Sequence, residues 1–262
     1  MNKLPALSSN QKKIIRKLHN KKYRKEYQMY LCEGMRLFQS AVSSEKITIN
    51  EIIISESFKK NIQAKTVIDF SEKNHVPIYS CTQKEIRFIS AETTPPGILF
   101  TVKNELSNNN YLNGIHDDIL LFFENISEPG NLGTIIRTAV WFGIKTLLLS
   151  GSSVDPYNPK TVRASAGAIF ECNIYDNINI DDVLTFSANR NYTKVATVPQ
   201  NGQNIHHWKL KKKNIIFFGA EASGLSENVI KNADILITIP GVGKVESLNI
   251  AVSTGIFLAY LK

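Results

Sequence analysis

Apolar residues recur along this chain in two rhythms. Ile14, Ile15 and Leu18 mark a narrow apolar side in a lysine-rich stretch, which predicts a helix over Ser8 to Gln28. Ser8, Ser9 or Asn10 can cap it. Met35, Phe38 and Val42 predict a second helix over Glu33 to Ser43. Short apolar runs follow at Glu51–Ile54, Val76–Tyr79 and Ile98–Val102, separated by polar helical stretches, with Pro95-Pro96-Gly97 turning into the last run. Strands and helices alternating at this length predict a compact α/β domain over residues 1–104.

Residues 105–117 are polar, Asn-rich and unpatterned, as expected of a linker. The alternation then restarts over 118–262. Strands are predicted at Ile119–Phe123, Thr146–Leu149, Glu171–Tyr175, Thr193–Val198, Ile215–Gly219 and Ile235–Ile239. Helices are predicted at Gly130–Phe142, Pro159–Gly167, Asp181–Asn189, Ser226–Asn232 and Ser247–Leu261. The strands are continuous apolar runs rather than alternating ones, so a largely parallel sheet covered on both faces is expected. No internal repeat is visible.

Composition narrows the class. An apolar fraction of 43% over 262 residues suits folded cores, and no apolar run approaches the roughly 18–20 residues that span a bilayer. Met1 to Asn10 is basic and polar without an export-type apolar core. Cys32, Cys81 and Cys172 lie far apart with no C-x-x-C pair, which argues against a disulfide framework or zinc knuckle and suits the cytoplasm. The charge is informative through its position. Residues 1–36 carry ten Lys/Arg against Glu26 and Glu33, the whole of the net +8, and the remainder is balanced at 21 basic and 21 acidic residues. A basic block on a neutral protein points to a polyanion such as RNA, through Lys12, Lys13, Lys17, Lys21, Lys22 and Arg24; a solvated lysine-rich helix would look the same.

In an open parallel sheet, ligands bind beyond the carboxyl ends of the strands. Three such loops here have unusual composition. Asn125 to Gly143 turns at Pro129-Gly130 into a helix bearing Asn131, Gly133 and Arg137, with Arg137 one turn after Gly133 and so on its face; Asn131 could be a cap and Arg137 a surface charge. Phe218 to Glu227 carries Gly219, Glu221 and Gly224, compatible with an ordinary glycine-rich turn capped by Ser226. It matches neither a dinucleotide fingerprint nor a phosphate-binding loop. Ile239 to Gly255 brings Ser247 and Asn249 into an otherwise apolar helix; Ser247 could be its cap, which leaves Asn249 unexplained.

Together these segments resemble the SpoU family of RNA ribose methyltransferases, of the SPOUT class, whose motifs run P-x-N-x-G-x-x-x-R, G-x-E-x-x-G-L and I-P-x-x-G-x-x-x-S-L-N. All three occur here in order: Pro129 to Arg137, Gly219 to Leu225 and Ile239 to Asn249. Glu128 stands where the family often has Asp, and Gly241 where it often has Met. More weakly, K-L-H-N-K-K-Y-R and C-E-G-M-R-L-F resemble the ribosomal-protein-like substrate-binding domain often fused in front.

The resemblance implies a parallel sheet with a C-terminal trefoil knot, a homodimer, and S-adenosylmethionine as cofactor. It implies cofactor contacts from Thr197, Gly219, Glu221, Gly224, Ile239 and Leu248. Arg137 would activate the ribose 2′-hydroxyl, Asn131 would order the loop and Arg137, Glu221 and Asn249 would hold the active-site loops, and Ser247 would hydrogen-bond near the ribose. No metal is implied. The two-domain layout favours ribosomal RNA over transfer RNA. A knotted RNA-binding protein without the chemistry, or an enzyme for a small molecule, are the competing readings; the intact Arg137 and S-L-N speak against the first, and the basic N-terminal domain against the second.

Overall fold

The computed structural model describes residues 4–104 and 111–261. Much of the linker, residues 105–110, lies outside these. The chain forms two compact units, one of residues 1–106 with 157–170, the other of 107–156 with 171–262.

The first unit contains α1 (Ser9–Lys17), α2 (Lys21–Tyr27), β1 (Met29–Glu33), α3 (Met35–Ser43), β2 (Ile49–Ser55), α4 (Ala64–Asn74), β3 (Ile78–Cys81), α5 (Gln83–Ile89) and β4 (Ile98–Lys103). Its sheet order is β1-β4-β2-β3, with β4 antiparallel to both neighbours and β3 parallel to β2. The predicted first helix is two. Ser8 caps α1 in a reciprocal capping box with Gln11, and Asn20 caps α2. The strand β1 went unpredicted because Met29–Glu33 is five residues wedged between helices, and their apolar pattern reads equally as the start of α3. Alternation along β4 sends Leu99 into a cluster with Ile15, Leu18, Ile86 and Ile89. Phe100 meets Phe38 edge to face on the opposite side (ring centroids 5.6 Å apart).

The second unit contains β5 (Ile119–Phe123), α6 (Pro129–Trp141), β6 (Thr146–Ser150), β7 (Asn173–Ile178), α8 (Ile180–Asn189), β8 (Thr193–Thr197), β9 (Gln203–Asn204), β10 (Asn214–Phe218), α9 (Glu227–Asn232), β11 (Ile235–Thr238) and α10 (Ile250–Ala259). Helix α7 (Pro159–Ala164) belongs to the first unit. Seven strands run in the order β7-β6-β5-β10-β8-β11-β9, every pair parallel. Strands β5 and β10 are buried almost throughout, as their unbroken apolar runs require. The final helix begins at Ile250, three residues later than predicted. Its cap is Asn249, whose Oδ1 accepts the amides of Ala251 (2.9 Å) and Val252 (3.3 Å). The polar residue that fitted no cap is therefore the cap.

Candidate active site

The three loops singled out above leave the carboxyl ends of β5, β10 and β11, which lie together at the centre of the parallel sheet with β8. One carboxylate oxygen joins them. Glu221 Oε1 accepts Asn131 Nδ2 (2.6 Å), Asn249 Nδ2 (2.9 Å) and the Ile250 amide (3.4 Å). Asn249 Nδ2 also donates to Asn131 Oδ1 at 3.2 Å. The Asn249 amide thus works at both ends, its oxygen capping α10 and its nitrogen tying that cap to the other two loops. Hydrogen bonds to a carboxylate are stronger than neutral ones, and in a network each member orients the next. Residues Asn125–Glu128, Asn131, Glu221 and Ile250 line a shallow cleft beside this junction.

Residues behind the junction fix its loops, and no motif points to them. Glu124, 8% exposed, accepts the Ser226 amide at 2.8 Å and anchors the Glu221 loop from below. Ser150 Oγ accepts the Asn125 amide (2.8 Å), and Ser153 Oγ that of Ile126 (3.3 Å). The visible signal was a carboxylate closing an apolar strand, I-L-L-F-F-E, where a buried charge needs a partner. The Glu221 loop folds back on itself through paired bonds between the Ala220 and Gly224 backbones (3.1 and 2.9 Å). A Cβ at Gly219 would lie 2.2 Å from the Gly224 carbonyl carbon, so this glycine is required by its own loop rather than by an approaching ligand.

Comparison with known proteins fits this geometry. The SpoU rRNA Methylase family model matches residues 118–259, and the MRM3-like substrate binding domain model matches 10–99. The chain belongs to the SpoU rRNA methylase family. It is 30% identical to an uncharacterized tRNA/rRNA methyltransferase of Archaeoglobus fulgidus, over 86% of this chain and 96% of that one. It is 24% identical to the 23S rRNA (guanosine(2553)-2'-O)-methyltransferase RlmP of Bacillus subtilis over the full length of both. The crystal structure of an AdoMet-bound rRNA methyltransferase from Sinorhizobium meliloti superposes with a TM-score of 0.86 at 27% identity, covering 98% of this chain and 96% of that one.

Within this SpoU unit the motif residues divide. Asn131, Glu221 and Asn249 are brought together as described. Arg137 lies two turns along α6, exposed and without a hydrogen bond or ion pair among the described residues, so Asn131 does not hold it. Gly133, one turn before Arg137 on the same helix, is buried. Thr197 Oγ1 donates to the Phe217 carbonyl (3.0 Å) and so braces the sheet. Ile239 is half-buried, and Leu248 is 43% exposed on an irregular segment, 240–249, that is exposed throughout. Ser247 on that segment makes no hydrogen bond among the described residues.

The basic candidates of the first unit divide too. Lys13, Lys17 and Lys22 are exposed and Lys21 is half-exposed. Lys12 is paired with Glu85 at 2.6 Å, which holds that carboxyl down at about 2. Arg24 overturns the expectation of an RNA contact. It is 3% exposed and donates to the Leu18 carbonyl at 2.7 Å, because its place on α2 turns it under the α1–α2 junction.

Proposed function

We propose that the protein transfers a methyl group from S-adenosylmethionine to a ribose 2′-hydroxyl of ribosomal RNA. The observation that carries this is the single carboxylate, Glu221, joining the loops of all three family motifs. The cofactor supplies an electrophilic sulfonium methyl. The residues at the strand ends suit such a ligand: apolar Ile239 and Leu248 stand beside irregular backbone, and a Cβ at Gly224, Gly241 or Gly243 would meet nothing within 4 Å. Apolar side chains next to free backbone groups match a purine ring with polar edges. Thr197, Gly219 and Gly224 would shape the floor of that pocket.

Because the donor is already activated, the protein's task is to position the 2′-oxygen and ease the loss of its proton. Arg137, a cation with no ion pair among the described residues on the helix that starts at the junction, is assigned to stabilise the developing alkoxide. Ser247 hydrogen-bonds near the ribose. Asn131, Glu221 and Asn249 position the loops without touching the reacting atoms. The same reading carries the trefoil knot of the SPOUT class, action in the cytoplasm, and a homodimer. For the dimer, α10 is apolar around its whole circumference and packs on α6, yet Val252 (51%), Tyr260 (46%) and Trp141 (84%) remain exposed. A helix apolar on every side calls for cover on every side.

The test is transfer of labelled methyl from S-adenosylmethionine to separated ribosomal and transfer RNA, followed by digestion and nucleoside mass analysis. A 2′-O-methylated nucleoside from ribosomal RNA is expected. A methylated base, or label confined to transfer RNA, would overturn the assignment. Light scattering at micromolar concentration should give twice the chain mass.

A further inference from the structure

The sequence pointed to lysines as the RNA contacts of the first unit, but the aromatic residues beside them are unassigned. Helix α1 presents Lys13, Arg16 and Lys17 along one exposed face, at the i, i+3, i+4 spacing that makes helix neighbours. At one side of this row stands Phe88 of α5, 53% exposed, with the Arg16 guanidinium carbon 5.9 Å from its ring centroid. Tyr23 of α2, half-buried, has Lys17 Nζ 4.9 Å and Lys22 Nζ 5.8 Å from its ring centroid. Tyr27 stacks on Tyr23 at 6.1 Å and 17°.

A lone exposed phenylalanine is ordinary; Phe88 differs in how its cation is held. Arg16 donates to the Ser90 carbonyl (3.3 Å) and to His19 Nδ1 (3.1 Å), while His19 Nε2 donates to the Ile89 carbonyl (2.8 Å). Burial lowers the His19 pKa, so the ring stays neutral and its Nδ1 can accept from arginine. The helix is anchored in the core by Ile86 and Ile89, both fully buried, whereas Phe88 leaves about half its surface open to solvent.

We infer that this face is a stacking platform for unpaired nucleotides of the substrate RNA, with Phe88 and Tyr23 taking bases and Lys13, Arg16 and Lys17 the intervening phosphates. The inference rests on the RNA-directed activity proposed above. Cations alone would serve any polyanion. Aromatic faces interleaved with them select bases that are free of a helix, since a paired duplex offers phosphates but no open base face.

The test uses the full-length protein, a labelled twelve-nucleotide single-stranded oligoadenylate and a twelve-base-pair RNA duplex. Phe88→Ala should weaken single-strand binding about 5- to 100-fold and leave both the salt dependence and the duplex affinity within about twofold, because no phosphate contact is lost. Phe88→Tyr should restore binding, which excludes misfolding as the cause. Single-strand affinity unchanged in Phe88→Ala, an equal loss for the duplex, or no single-strand binding by the unaltered protein would each overturn the platform. Methyl transfer by the unaltered protein is read separately. Its absence, with the Phe88 effect intact, would remove the enzymatic reading and spare the platform.

Discussion

The two units encode their function in opposite ways. In the first, the signal is local: ten lysines and arginines gathered in thirty-six residues, legible at a glance. In the second it is dispersed. Asn131 and Asn249 stand 118 positions apart, the first compatible in sequence with a routine cap and the second without an evident role, and they become a site because the parallel sheet brings their loops to one edge. The local signal overstated itself: Arg24 turned inward, and Lys12 is paired with Glu85. The dispersed one, read as an ordered set of motifs, divides as well: Asn131, Glu221 and Asn249 share one network, whereas Arg137 and Ser247 make no hydrogen bond among the described residues. Counting charges identifies a class of partner; geometry decides which charges are available to it.

That contrast can be pressed by substitution. The largest effect is expected at Arg137. Arg137→Ala should lower methyl transfer about 10²- to 10⁴-fold while S-adenosylmethionine binding, followed by calorimetry, stays near its original strength; unchanged turnover would remove the assigned role. Next comes Glu221→Ala, which frees both asparagines and the Ile250 amide at once. Misplacement on the scale of an ångström costs about 10²-fold in turnover, and the Asn249→Ala variant should cost no further factor when added to it, since both sever one network.

In the first unit the effects are smaller and separate cleanly by burial. Replacing Lys13, Lys17 and Lys22 together by Gln should reduce the slope of log affinity against log salt by about 2, at roughly 0.7 per single-strand phosphate contact. Arg24→Ala should leave that slope alone and lower the melting temperature instead, at a cost of about 1–3 kcal/mol for the unpaired Leu18 carbonyl. The smallest effect is acidic. The Glu85 carboxyl is held down at about 2 chiefly by its hydrogen bond from Lys12. A carboxyl lowered on folding stabilises above its unfolded value near 4.5 and loses that contribution as pH falls toward 2. Glu85→Gln should therefore flatten the pH dependence of stability between pH 4.5 and 2, followed by circular dichroism, whereas the native chain loses stability across that window.

Much of the fold was legible because periodicity and burial agree. Ile119–Phe123 could be delimited from its apolar run alone, since a strand covered on both faces has no polar residue inside it. Strand β1 was not legible: it is five residues long, and its place is set by pairing with β4 some seventy positions away. Nor was the start of α10, because the family pattern drew attention to S-L-N as chemistry and away from Asn249 as a cap. Around the site, Glu124, Ser150 and Ser153 escaped notice for a related reason. They act on backbone amides of neighbouring loops, and such partners leave no trace in the spacing of side chains.

Residues 157–170 count with the first unit although the chain on both sides of them counts with the second. Tyr157 packs on Tyr30 with ring centroids 4.6 Å apart, Arg163 pairs with Glu92, and Ser44 Oγ donates to the Phe170 carbonyl at 3.0 Å. Neither unit is therefore a continuous stretch of polypeptide. During synthesis the first unit cannot close until some 170 residues have emerged, by which point the second has begun. A cut at the linker would leave the first unit without α7, while the other fragment would keep the second unit and carry Val162, Ile169 and Phe170 parted from the unit they count with. For this chain, gene fusion and domain shuffling are constrained as much by that short excursion as by the active site.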